Sequence, residues 1–194
     1  MWQLFRSVGT RIQAIGILIA GAFIGILFWG GFNWAMELSN KEAFCISCHE
    51  MRTTVYEEYQ GTIHDSNRSG VRAVCSDCHV PREWVYKVKR KILATNELFH
   101  KIAGTVNTPE KFETQRLAMA QRVWDAMKAT DSRECRNCHS MTGMDLEKQK
   151  PRARTQHVDA AQSGETCIDC HKGIAHKAVH KELEQAEEEA DFTL

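Results

Sequence analysis

No cysteine in this chain stands apart from a short repeated run, and that absence removes any separate disulfide framework. Net charge is missing too: 25 Lys and Arg side chains are balanced by 25 Asp and Glu. No global field therefore draws the chain toward nucleic acid or another strongly charged partner. No segment shows convincing alternation of apolar and polar residues, which excludes a sheet-based fold. Nor are there residues left over for a separate signalling domain.

What is present is more specific. The eight cysteines occupy four Cys-Xaa-Xaa-Cys-His runs, at 45–49, 75–79, 135–139 and 167–171. Two cysteines one helical turn apart can form thioethers to the two vinyl groups of a haem, and the histidine that follows lies under the iron. A zinc ribbon also uses paired cysteines, but it does not require a histidine directly after every pair. The runs therefore read as four c-type haem attachment sites, through Cys45, Cys48, Cys75, Cys78, Cys135, Cys138, Cys167 and Cys170. His49, His79, His139 and His171 are the motif ligands. Haem of this kind is attached outside the bacterial cytoplasm, which places the motifs in the periplasm.

The N-terminus agrees. Residues 12–32 form a 21-residue stretch without charge, and about 20 apolar residues cross the hydrocarbon core as a helix. Arg6 and Arg11 precede it and Glu37 is the first charge after it, so the N-terminus faces the cytoplasm. The stretch is longer than a signal-peptide core and no convincing cleavage site follows. It reads as a single-pass anchor over 12–34 in the inner membrane. Gly16, Ala20, Gly21 and Gly25 would permit a homodimer.

Motif, lone histidine, motif occurs twice. His49 to His64 and His64 to His79 are each 15 residues; His139 to His157 is 18 and His157 to His171 is 14. The spacing reads as two dihaem halves, 45–104 and 105–181, of a periplasmic domain over 35–181. Between them a helix is expected over 82–103, with Val85, Val88 and Ile92 on one face. Gly104 ends it, and Thr108-Pro109 opens another that runs to about Thr130. The expected fold is mostly α and loop-rich, with porphyrins supplying much of the buried apolar surface. The tail over 182–194, "ELEQAEEEADFTL", reads as acidic and solvated.

Four motif histidines leave five others. His64 and His157 occupy equivalent places in the two halves, and His176 follows the last motif by a short turn, so these three are the expected distal ligands. His100 and His180 read as surface residues. One iron, the first, then lacks a second histidine, and Met51 stands two residues after His49. Met141 has the same spacing after His139, so spacing alone does not decide between His49 and Met51.

"AFCISCHEM", "NRSGVRAVCSDCHVP", "GTVNTPEKFE", "ECRNCH" and "GETCIDCHKGIAH" resemble the NapC/NirT family of membrane-anchored tetrahaem cytochromes. The likeness runs from the anchor to His176. It implies oxidation of menaquinol or ubiquinol from the membrane pool, with electrons passed to a periplasmic reductase. Nitrate reductase is the expected acceptor, nitrite reductase the next. The resemblance matches Met51 to a methionine that replaces the motif histidine on the first iron. It also matches Lys91 and Glu97 to a lysine and carboxylate of the quinol site, although the family carboxylate is aspartate. On a continuous helix Lys91 and Glu97 stand about 120° apart. The pseudo-symmetry of the halves suggests His79 with His157, His139 with His176, and His171 with His64. A membrane-tethered shuttle without its own quinol site is the alternative.

Overall fold

The computed structural model describes residues 2–181, so the acidic tail expected over 182–194 lies outside the described residues. The chain divides into two units, one running to Lys41 and one beginning at Glu42. All regular structure among the described residues is helical.

The first unit is α1, Trp2–Leu38. Its stretch Thr10–Leu38 is long and apolar enough to cross a membrane, with a mean hydropathy of 2.2. Ile17, Leu18, Ile24, Ile26 and Phe28 point outward, the pattern of a helix whose solvent is hydrocarbon.

The second unit begins with α2 (Glu42–Cys45) and α3 (His49–Met51). A π turn over Arg52–Tyr56 follows, and then α4 (Glu57–Tyr59). Next come α5 (Cys75–His79) and the two long helices, α6 (Trp84–Ile102) and α7 (Pro109–Ala129). The chain continues through α8 (Arg133–Arg136), α9 (Pro151–Ser163) and α10 (Cys167–Cys170).

Local chemistry sets the boundaries. Gly104 has φ +68° just beyond α6, a conformation that glycine adopts without the Cβ penalty. Thr108 caps α7 by accepting from the Lys111 amide at 3.3 Å, with Pro109 as first helical residue. Gly164, at φ +76°, turns the chain from α9 toward the last motif.

Tyr59, Phe112, Ile168 and Val179 are the buried apolar side chains of this unit. A domain of such length held only by side chains normally buries far more. The residues that stitch it together are polar. Arg116 and Glu134 are buried beside them.

Candidate functional site

The four motifs occupy short helices or tight turns, and two share one device for opening the turn. Asp77 accepts from the Val74 amide at 2.9 Å, and Asp169 accepts from the Thr166 amide at 2.8 Å. Each aspartate is the second residue between the cysteines, so it reaches back to the first orphan amides of its helix. Lys128 on α7 also binds Asp169, at 2.7 Å. That contact and the amide bond hold the Asp169 carboxyl down at about 2.

The motifs follow one another in space. Cys45 meets Cys75 through a side-chain hydrogen bond. Cys78 feels Cys135 and Cys138, although burial is the main reason its thiol is pushed up to about 11. The third and fourth motifs are joined where Ser132 accepts from the Ile168 amide at 3.1 Å. None of the eight cysteines forms a disulfide.

Three pairs of imidazoles face each other. His64 and His139 have ring centroids 6.1 Å apart, His79 and His176 6.2 Å, and His157 and His171 6.0 Å. These are not the pairs suggested by the pseudo-symmetry of the halves. The expected His79–His157, His139–His176 and His171–His64 pairs are replaced throughout. The physical reason is connectivity. Gly164 turns α9 back on the fourth motif, so His157 meets His171 within its own half. His64 and His176 instead cross to the other half.

The pairs fit an iron between them. Two metal–imidazole bonds of ~2.0 Å and a ring radius of ~1.1 Å at each end give about 6.2 Å between centroids. The protonation states fit as well. Burial lowers His64, His171 and His176 below the ordinary histidine value, and takes His79 down to about 4. These rings are therefore neutral, the form that donates to metals. His176 Nδ1 donates to the Val55 carbonyl at 3.1 Å, which leaves its Nε2 as the lone-pair donor. His157 Nδ1 lies 2.7 Å from Gln149 Oε1, and the same tautomer follows there.

Among the described residues no fourth imidazole pair occurs, and His49 is the motif histidine without one. Its side chain is 64% exposed, while Met51 is 37% exposed. Glu50, between them, is buried and ion-paired to Lys101 of α6. Burial pushes the Glu50 carboxyl upward more than any one contact pulls it down, but the bond from Lys101, a backbone amide and the Lys101 charge together bring the net shift down. Lys91 is half-buried and acts electrostatically on Cys45. Glu97 turns elsewhere and pairs with Arg90 at 2.8 Å. Because α6 is uninterrupted, Lys91 and Glu97 stay about 120° apart and do not converge.

Of the two remaining histidines, His100 is exposed, with Nδ1 2.9 Å from Thr105 Oγ1. His180, expected at the surface, is half-buried edge-on against Trp124. The terminal segment folds back on α7, which its lysine-rich neighbourhood concealed.

Several supporting residues carry no local sequence signal. The Tyr59 hydroxyl donates to the Ala73 carbonyl and lies 3.0 Å from that of His64, fixing the His64 loop. Ser132 is fully buried in the left-handed region, φ 48°, which only surrounding contacts can hold. Arg116 bridges Glu58 at 2.8 Å and Glu113 at 2.7 Å and stacks on Phe112. Glu58 in turn accepts from the Lys177 amide at 2.9 Å, next to His176. Arg116 and Glu58 are 58 residues apart, and only an unusually buried Arg on an amphipathic helix hints at the link.

The family model described as "NapC/NirT cytochrome c family, N-terminal region" matches residues 8–181. The chain belongs to the NapC/NirT cytochrome c family. It is 58% identical to the denitrification system component NirT of Stutzerimonas stutzeri, covering 89% of this chain and 86% of that protein. It is 54% identical to the cytochrome c-type protein NapC of Escherichia coli K12, covering 91% and 88%. The NapC of Paracoccus pantotrophus is 57% identical over 91% of this chain and 75% of its own. No solved structure matches. As a member of this family the chain is a mostly helical, tetrahaem c-type cytochrome of electron transport.

Proposed function

We propose that this protein is a quinol dehydrogenase of the bacterial inner membrane, taking electrons from menaquinol or ubiquinol at its first motif. The observation that carries the reading is the asymmetry of the four motifs. Three motif histidines face a second imidazole at 6.0–6.2 Å. The first, His49, has Glu50 at 3.9 Å instead; Lys101 pairs with that glutamate, and Lys91 acts on Cys45 of the same motif. α1 spans the membrane with Arg6 and Arg11 on the cytoplasmic side and the motifs in the periplasm.

Bound haem c supplies one-electron acceptors, whereas a quinol gives up two electrons and two protons. The eight motif cysteines would hold the four groups. His64, His79, His139, His157, His171 and His176 would hold three of the irons, and His49 or Met51 the first. Lys91 orients the quinol hydroxyl by donating a hydrogen bond, and Glu97, exposed and ion-paired to Arg90, passes the proton toward water. The succession of motifs in space supports an ordered path away from the first.

The acceptor is a periplasmic reductase, nitrate reductase first and nitrite reductase next; relatives of similar identity named NapC and NirT support both. The test is rapid mixing of the detergent-solubilised protein with a menaquinol analogue, following the haem bands. Reduction that Lys91→Gln slows by about tenfold or more supports a quinol site at the first motif. Reduction by dithionite but by no quinol would leave a membrane-tethered shuttle.

A further inference from the structure

We propose that the Glu50–Lys101 ion pair fixes the rotation of α3 and thereby selects which of its neighbours, His49 or Met51, is presented to the first haem iron. The inference rests on haem attachment at the first motif and not on the quinol.

His49, Glu50 and Met51 are consecutive on a single turn, so their side chains diverge by about 100° each. Only the middle one is tucked inside. The Glu50 side chain is 6% exposed, against 64% for His49. A buried carboxylate requires a partner, and the partner comes from another element: Lys101, in the last turn of α6, 51 residues along the chain. Lys87, Ala94 and Lys101 recur every seven residues on a half-buried stripe of α6, so the clamp reaches from a long, straight helix.

The ion pair acts on α3 directly. The helix does not simply continue into α4, because a π turn over Arg52–Tyr56 intervenes. A π turn changes the angular relation between the residues before and after it, and such turns concentrate at functional positions. Three other tethers are local and run to the backbone: Arg52 Nε donates to the Ile46 carbonyl at 3.1 Å, Thr53 Oγ1 to the His49 carbonyl at 3.0 Å, and Thr54 Oγ1 to the Glu50 carbonyl. His176 Nδ1 grips the Val55 carbonyl in the π turn beyond α3. The ion pair is the long-range contact that acts on a side chain of α3 itself. With Glu50 pinned, His49 Nδ1 sits 3.9 Å from Glu50 Oε2, leaning toward the carboxylate, while Met51 stands about 100° beyond Glu50 around the turn. The clamp thus favours Met51 as the ligand presented. Loss of the pin lets one turn rotate by one residue, which exchanges the two candidates. Glu50 and Lys101 are positioning residues in this scheme and touch no substrate.

The experiment uses the full-length holoprotein and near-infrared magnetic circular dichroism, which separates thioether from imidazole ligation. The wild type should show a thioether signature at the first haem. Lys101→Met and Glu50→Gln should each replace it, wholly or in part, with an imidazole or high-spin signature while the three bis-histidine signals persist. Lys101→Arg, which keeps the charge and the donor, should retain the wild-type signature and also serves if Lys101→Met matures poorly. Reduction by the menaquinol analogue should slow by about tenfold in Lys101→Met. First-haem signatures unchanged in both neutralising variants, or equally altered in Lys101→Arg, would overturn the proposal. The spectra are recorded without quinol, so failure of the quinol reading would leave this result readable.

Discussion

Replacing Arg116 by Met tests whether buried ion pairs carry the tertiary structure of a domain with so few buried apolar side chains. Arg116 is 8% exposed and bridges two glutamates, which differ in what they lose. Glu113 is 45% exposed, so its pair contributes no more than about 0.5 kcal/mol. Glu58 is 26% exposed, and removing its charged partner leaves a largely buried carboxylate with the Lys177 amide as its remaining donor, a loss of about 3 kcal/mol. With a urea slope of ~2 kcal/mol/M, the unfolding midpoint should fall by ~1.5 M. The assay is equilibrium urea unfolding of the holoprotein followed by far-ultraviolet circular dichroism. Glu58→Gln together with Arg116→Met should recover most of the loss, because no unpaired charge remains. The pH dependence has a fixed sign. Burial works to raise the Glu58 carboxyl, yet the bonds from Arg116 and the Lys177 amide prevail and hold it below its ordinary 4.5. A depressed folded value means the stabilisation is complete above about 4.5 and fades as pH falls below it. The gap between wild type and variant should therefore close under acid conditions and be full at neutral pH. A midpoint within ~0.2 M of wild type at neutral pH would refute the reasoning.

Two further substitutions separate ligand placement from helix stability. Gly173 has φ +72°, and a Cβ there would lie 2.8 Å from the Ala178 backbone. Gly173→Ala should therefore shift the turn that carries His176 and convert the haem of the second motif to a high-spin signature in electron paramagnetic resonance, leaving the fourth unchanged; a changed fourth haem would contradict the His79–His176 pairing. Thr108→Ala removes the N-cap of α7 and should lower the stability of the holoprotein by about 1 kcal/mol in urea unfolding, with all four haem spectra intact.

The comparison of sequence with structure divides along the reach of each interaction. The apolar run of α1, the four motifs, the stop at Gly104 and the start at Thr108-Pro109 all follow from rules that act within one or two turns, and each is present. The 120° separation of Lys91 and Glu97 was legible for the same reason, since it needs only a continuous helix. The histidine pairing was not legible. Similar spacings in the two halves suggest repeated units, but spacing says nothing about which half supplies the opposite ring. Glu50, Glu58 and Arg116 were missed because a charged residue on an amphipathic segment looks like a solvated one until its partner, 51 or 58 residues away, is known.

The interleaving has its own consequence for how the domain holds together. His64 reaches the third motif and His176 the second, so the irons that would hold these rings cross-link the two halves. In metal-dependent folds the binding energy of the metal is also folding energy. Here two of the three imidazole pairs would place that energy between the halves, and His157–His171 within the second. A fragment ending near Gly104 would keep two motifs, yet the second motif would lack His176, and His64 would face no ring. The buried polar link from Arg116 to Glu58 joins the two halves as well, while Ser132 to Ile168 ties the third motif to the fourth within the second half.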